Sequence, residues 1–213
     1  MEKLHVKLTF VEPILGTSPN NEEIYRDFIG SKAPDAATIE DEVAAVGADE
    51  VAEKGMTVFP RDPDGKPILW DYQVRGFFKD ACSMLSRLTV KEVDPATGKA
   101  KKTVKNESGK MTAFKKTIDG LIFVEPRMIP LNFDGEIGIC QRPLRAQTMQ
   151  GERVALAMSE EIPAGATAEF TVLCLDPGHI KAVKEWLDYG SLRGIGQWRN
   201  SGKGRFRYKI IEE

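Results

Sequence analysis

Apolar and polar residues first alternate in "LHVKLTFVEPIL", which puts Leu4, Val6, Leu8 and Phe10 on one side of an extended chain. A period of two predicts a strand with one buried face. "GTSPNNEEIYRDFIGSKAPD" then turns, forms a short helix and stops at Gly30 and Pro34, and "ATIEDEVAAVGADEVAEKG" has helical spacing with an acidic face up to Gly55. "MTVFPRDPDGKPILWD" predicts a hairpin, because the turn-forming "DPDGKP" lies between two apolar ends. The clearest helix is "DYQVRGFFKDACSMLSRL", with Asp71 as N-cap and Val74, Phe77, Phe78, Ala81, Met84 and Leu85 as its apolar face.

The next stretch, "TVKEVDPATGKAKKTVKNESGKMTAFKKT", is poor in apolar residues, and residues 91–116 hold eight lysines and three acids. It predicts an exposed loop or protruding hairpin. Beyond "DGLIFVEPRMIPLNF" the pattern favours strands, two or three of them in "EIGICQRPLRAQTMQGERVALAMSEEIPAGATAEFTVLCL" with a turn at "IPAG". "DPGHIKAVKEWLDYG" predicts a second helix, Ile180, Val183, Trp186 and Leu187 inward, and "RFRYKII" a last strand. The order strand-helix-strand-strand-helix-strand predicts an α+β fold, a ferredoxin-like split βαβ of the RRM type. It is expected as one domain over 1–213, with an acidic helical insertion at about 16–55 and a lysine-rich one at 91–116.

The composition is that of an ordinary globular chain: 213 residues, 41% hydrophobic, 29% charged. No apolar run is long enough to span a bilayer, and the amino end has no signal-peptide pattern, so no membrane association and a cytoplasmic location are expected. The three cysteines, Cys82, Cys140 and Cys174, are odd in number and set in apolar surroundings, as expected of reduced buried thiols. The net charge of −2 argues against a generic polyanion binder, yet it is unevenly spread. Residues 1–56 carry 5 Lys/Arg against 12 Asp/Glu, whereas the remainder carries an excess of five cations.

Those cations gather near the carboxyl end, in "DYGSLRGIGQWRNSGKGRFRYKIIEE". Gly194, Gly196, Gly202 and Gly204 alternate with Arg193, Trp198, Arg199, Lys203, Arg205 and Arg207. The spacing is not that of a Walker A loop, and the segment follows a helix and enters a strand, the reverse of a dinucleotide fingerprint. Three readings remain: a solvated basic hairpin, a phosphate cradle, and a nucleic-acid-binding loop. Glycines allow close backbone approach with N–H groups aimed at phosphate, cations add charge-assisted bonds, and Trp198 offers a stacking face. Arg142, Arg145 and Arg153 fit the same face, and Lys99, Lys101, Lys102 and Lys105 could clamp a phosphate backbone.

The signals for other chemistry are thin. His5 and His179 are the only histidines, each without a sequence neighbour as partner, so no catalytic residue is assigned. No metal-ligand spacing and no nucleophile elbow are present, and no metal or cofactor is expected. The acidic 35–54 segment, with seven acids against one lysine, fits a solvated helix face, a partner-binding helix or a mimic of nucleic-acid charge.

"LDYGSLRGIGQWRNSGKGRF" resembles the C-terminal glycine-rich loop of the RAMP superfamily, the repeat-associated RNA-binding proteins of CRISPR systems. "LWDYQVRGFFKDAC" is similar to that superfamily's first-helix motif, although relatives are usually richer there in Ser and Gly, and "EEIPAGATAEFTVLCL" resembles its proline-x-glycine strand element. The lysine-rich 91–116 stretch lies where backbone subunits carry a thumb-like hairpin. The likeness covers roughly residues 56–213, and the whole chain also resembles uncharacterised bacteriophage proteins of similar length.

The resemblance implies a non-catalytic protein that binds RNA or a nucleotide ligand through Arg193, Gly194, Gly196, Gln197, Trp198, Arg199, Asn200, Gly202, Lys203, Gly204 and Arg205. Arg75, Lys101, Lys102, Arg142 and Arg145 would assist from outside the loop. Two alternatives stand beside it. One is a metal-independent endoribonuclease of the guide-RNA-processing type. The other is a phage-encoded interaction protein or inhibitor that mimics a CRISPR backbone subunit, with a protein partner or self-association.

Overall fold

The computed structural model describes residues 1–20, 55–93, 100–148 and 151–211, the side chains within 89–104 and 144–155 excepted. The helices expected within 21–54 and the turn at 94–99 lie outside the described residues.

The strands are β1 (Glu2–Phe10), β2 (Ile14–Leu15), β3 (Ser18–Pro19), β4 (Thr57–Val58) and β5 (Ile68–Trp70), then β6 (Thr89–Val93) and β7 (Ala100–Lys105). They continue with β8 (Ile122–Glu125), β9 (Met128–Asn132), β10 (Gly138–Thr148), β11 (Gly151–Ile162), β12 (Thr167–Cys174) and β13 (Phe206–Ile210). The helices are α1 (Asp71–Leu85), α2 (Glu107–Lys110), α3 (Phe114–Leu121) and α4 (Ile180–Arg193).

Alternation in β1 has the expected consequence. Leu4, Val6, Leu8 and Phe10 are buried, while Lys3, His5, Lys7 and Thr9 occupy the other face. β1 is flanked by β12 and β13, both antiparallel, with Leu4 opposite Val172 and Phe10 opposite Phe206. The far edge of β12 is shared, its end pairing with β8 and its start with β9, and β5 extends β9. The sheet order is therefore β13-β1-β12-β9-β5, with β8 also on β12.

α1 and α4 cover the apolar face of this sheet. Val74, Phe77, Phe78, Ala81 and Cys82 of α1 and Ile180, Val183, Trp186 and Leu187 of α4 are buried in one hydrophobic cluster with the β1 side chains. Each fully buried large apolar side chain contributes about 1.5–3 kcal/mol of burial free energy. Aromatic rings knit the helices to the sheet: Phe78 lies 5.4 Å from Trp186, and Phe77 lies 5.5 Å edge-on from Phe206. Met84, expected on the apolar face of α1, is exposed, whereas its neighbour Leu85 packs against the core, so the apolar face is narrower than expected at the last turn.

A second sheet, which the alternation pattern alone did not separate, has the order β10-β11-β4-β3 with β2 beside β11. Its presence corrects the hairpin expected in "MTVFPRDPDGKPILWD". Gly65 (φ +80°) and the Asp62 carboxylate, which accepts from the Asp64 and Lys66 N–H groups, do make the turn. The flanking strands nevertheless part, β4 to the second sheet and β5 to the first, leaving one isolated bridge between Arg61 and Pro67. Pro60 and Pro67 supply no N–H to a ladder, which shortens the pairing on both sides.

The lysine-rich stretch is a β6–β7 antiparallel hairpin, and its continuation is anchored to the core. The Glu185 carboxylate of α4 accepts from the Ser108 N–H at 3.0 Å and hydroxyl at 2.7 Å, and the Trp186 indole N–H donates to the same hydroxyl at 2.9 Å. Asn106 caps α2 through Gly109 N–H and donates to the Leu85 carbonyl at the end of α1. Residues 106–108 are thus tied to the ends and sides of α1 and α4.

Candidate nucleic-acid interface

The glycine-rich loop begins where α4 reaches β13. Gly190 faces Phe206, whose ring leaves only 2.0 Å for a Cβ there, so helix and strand touch at van der Waals distance. Gly194 (φ +74°) ends the helix by donating to the Gly190 carbonyl, and Ile195 donates to the Gly204 carbonyl across the neck of the loop. Gly204 (φ +70°) donates in turn to the Pro13 carbonyl, and a Cβ on it would lie 1.9 Å from the Ile195 oxygen. Glycine is required at this crossing by space and by dihedral angle together.

Beyond the neck the loop opens. Gly196 (φ +90°), Trp198 (φ +52°) and Gly202 (φ +88°) adopt positive φ around a single 3-10 turn, Arg199–Ser201. The backbone N–H groups of Gly196, Gln197, Trp198, Arg199 and Asn200 have no partner among the described residues. For a tryptophan the left-handed conformation costs about 1–2 kcal/mol. Its surroundings hold it there. The guanidinium of Arg142 on β10 lies 5.1 Å from the Trp198 ring centre and donates to Gln197 Oε1 at 2.9 Å and to Ser159 Oγ at 3.2 Å. Arg142 is 7% exposed, and no carboxylate pairs with it among the described residues, so a cation–π contact and two neutral acceptors stabilise a buried charge.

The cations expected to meet phosphate are placed in two groups. Arg193 and Arg199 converge on Oδ2 of Asp80, at 3.2 and 2.7 Å, and Arg193 also donates to Asn200 Oδ1 at 2.6 Å. Two guanidiniums against one carboxylate leave a positive charge uncompensated. Lys203 and Arg205, by contrast, brace the neck: Lys203 pairs with Glu161 at 2.6 Å and Arg205 donates to the Ser191 carbonyl at 2.9 Å.

Arg75 lies apart, paired with Asp71 one turn earlier at 2.9 Å, with its Nε buried and without a partner among the described residues. Lys101 and Lys102 fall on β7 and Arg145 on β10, where the strands are described and the side chains are outside the described residues.

Next to the loop a cleft of about 720 Å³ opens between the start of α1, β3 and the loop. Leu69, Phe77 and Ile195 give it apolar walls, Thr17 and Gln73 a polar one, and Tyr72, 52% exposed, stands at its lining. Tyr72 stacks on Trp70 at 6.2 Å, and Arg127 lies 5.8 Å from the Trp70 ring. A smaller depression of about 240 Å³ is lined by Arg193, Gly196, Trp198, Arg199 and Asn200, so that Gly196 and Arg199 belong to both.

Sequence reasoning missed Asp80, Tyr72, Gln73 and Thr17. The signal was present in α1: Tyr72, Gly76 and Asp80 recur every four residues and so share one face, opposite the apolar positions.

The other candidates lie elsewhere. His5 sits on the outer face of the sheet with Nδ1 2.7 Å from the Thr171 hydroxyl, and His179 lies in the turn before α4, 3.8 Å from Asp176. All three cysteines are free; burial pushes the Cys82 and Cys174 thiols up to about 11, so they are protonated and unreactive at neutral pH. Among the described residues no His, Cys, Asp and Glu cluster could hold a metal ion, and no helix is long and apolar enough to cross a membrane.

No protein-family model and no curated protein matches the sequence. Among solved structures the chain is similar to one in a type III-B Cmr-beta complex bound to cognate target RNA. The two are 10% identical with a TM-score of 0.49, over 99% of this chain and 61% of that one. It is also similar to a chain of a type IV-B CRISPR complex, 9% identical with a TM-score of 0.47, over 99% of this chain and 90% of that one. The chain thus spans under two thirds of the first of these.

Proposed function

We propose that the protein binds RNA or a nucleotide, without cleaving it, at the cleft beside the glycine-rich loop. One observation carries this reading: two guanidiniums share a single carboxylate, and one of them, Arg199, also lines a cleft with aromatic and apolar walls. That combination suits a ligand with both rings and phosphates. Arg193 and Arg199 are its phosphate contacts, Trp198 its stacking face, and the N–H groups of 196–200 its backbone donors. The strand order β13-β1-β12 with β8 and β9 beyond, under two helices on one face, supports the ferredoxin-like reading and with it the RAMP resemblance. A hydrophobic cluster that takes in Ile14, Phe59 and Ile162 of the second-sheet region supports a single domain.

The test starts with the protein purified after a moderate-salt wash. Its 260/280 nm absorbance ratio and any extracted nucleic acid are measured, followed by anisotropy of a labelled single-stranded oligoribonucleotide at rising salt. Binding that weakens steeply with salt, and less steeply in Arg193→Gln with Arg199→Gln, is expected. A clean protein spectrum with no binding of the probe at low salt would overturn the reading.

A further inference from the structure

The cleft and the small depression differ in chemistry although they share Arg199 and Gly196. The cleft is walled by Leu69, Phe77 and Ile195 and carries neutral polar groups, whereas the depression is cationic. We infer that together they form a nucleoside-phosphate pocket, with base and sugar in the cleft and the phosphate on Arg193, Arg199 and Asn200. This rests on the proposed function and narrows it from RNA or a nucleotide at the cleft to one nucleoside phosphate divided between the cleft and the depression.

Size, charge and polar placement support that occupant. A volume of about 720 Å³ is within the roughly 300–1,000 Å³ typical of small-molecule sites. Arg193 and Arg199 share Asp80 Oδ2, so a phosphate supplies the missing negative charge, and Asp80 acts as a positioning residue that holds both guanidiniums toward it. On the cleft wall Gln73 is held at both ends. Its Oε1 accepts from Trp70 N–H at 2.7 Å and its Nε2 donates to Thr17 Oγ1 at 2.6 Å. A side chain held in this way presents its remaining amide hydrogen in a fixed direction, as reading a base edge requires.

The nucleoside phosphate has two possible sources, a free nucleotide or the phosphorylated end of an RNA strand, and the experiment separates them. Gly76 lines the cleft, and a Cβ built there meets nothing within 4 Å, so Gly76→Leu adds an apolar side chain at the cleft from an unobstructed Cβ. Full-length protein, stripped by a high-salt wash, is titrated calorimetrically with inorganic phosphate, a nucleoside and the four 5′-nucleoside monophosphates. Single-stranded oligoribonucleotides with and without a 5′ phosphate are then measured by anisotropy.

At least one monophosphate is expected to bind about 10-fold or more tightly than its nucleoside or phosphate alone, from a charge-assisted contact of ordinary strength. Gly76→Leu should remove that binding with an undiminished melting temperature, and Arg199→Gln should bring the monophosphate down to the nucleoside's level. If only the 5′-phosphorylated oligonucleotide gains affinity, and Gly76→Leu removes the gain, the source is an RNA end. If the free monophosphate binds as tightly and displaces the oligonucleotide, the source is the nucleotide. Oligonucleotide binding that ignores both Gly76→Leu and competing monophosphate overturns the pocket and leaves the proposed function standing; absence of all binding overturns both.

Discussion

The neck and the crown of the glycine-rich loop are built from the same residue types and do opposite things with them. In the neck, Gly194 and Gly204 have every backbone N–H bonded, Lys203 and Arg205 are tied to Glu161 and Ser191, and the ideal Cβ positions collide with backbone. In the crown, five successive N–H groups lack a partner among the described residues, and Gly202 has room for a Cβ, which would meet only the Arg205 side chain at 3.7 Å. A glycine–cation pattern is therefore two patterns superposed, one that closes the fold and one whose backbone donors stay open among the described residues. Substitutions should sort by which of the two they touch.

The largest effects belong to the neck. Gly204→Ala combines positive φ with a contact of 1.9 Å to a carbonyl oxygen, and should cost on the order of 3 kcal/mol in chemical denaturation. Gly190→Ala forces a methyl into the Phe206 ring and should cost about 2 kcal/mol, the better helix propensity of alanine offsetting part of the clash. Gly202→Ala is the control in the crown, where dihedral strain alone should cost about 1 kcal/mol. Equal losses at Gly202 and Gly204 would erase the distinction.

Arg142 tests the boundary between the two. It is buried without a carboxylate partner and touches the crown through Gln197 and Trp198. Arg142→Met should leave stability within about 1 kcal/mol, since an apolar isostere also removes a desolvated charge. Affinity for the RNA probe should fall about 10-fold as Trp198 loses its seat. A stability loss as large as that of Gly204→Ala would move Arg142 into the neck.

How far the sequence disclosed this is best seen in particular elements. β1 and α4 were legible because each has a single buried face with a clean period, and Leu4, Val6, Ile180 and Trp186 are where alternation and helical spacing put them. The second sheet was not, because β2, β3 and β4 are two residues long each and carry no period at all. The loop was legible as a chemical type, but its division into neck and crown was not. That division depends on Pro13, Asp80, Arg142 and Glu161, all distant in sequence. Asp80 illustrates why: spacing puts it on the polar face of α1, but the two arginines that share it come from α4 and the loop, far along the chain.

Alkaline pH separates the regions in another way. Tyr208 on β13, next to the neck, is pushed up to about 12 by burial first, then by the charge and hydrogen bond of Asp188. A phenol whose ionisation is raised from 10 in the fold contributes stability that is full below pH 10 and is lost as pH rises toward 12. Cys82 and Cys174, raised from 9 to about 11 mainly by burial, act in the same sense over pH 9–11. The urea midpoint should fall above about pH 9, and Tyr208→Phe should remove the part between 10 and 12. Tyr208→Phe should at the same time leave oligoribonucleotide affinity at the crown unchanged.

The smallest stability effect, and the sharpest separation, is expected at Trp198. Its φ of +52° costs about 1–2 kcal/mol that glycine would recover. Its ring, stacked 5.1 Å from the Arg142 guanidinium, returns about 1–2 kcal/mol that glycine would forfeit. The two nearly cancel, so Trp198→Gly should unfold within about 0.5 kcal/mol of the parent. Loss of a stacking face should still weaken oligoribonucleotide binding by about 1–3 kcal/mol. Retaining a strained tryptophan where glycine would fold as well is intelligible if the indole serves a ligand. If Trp198→Gly instead destabilises the protein and binds the probe as tightly as before, the indole is structural and the crown belongs with the neck.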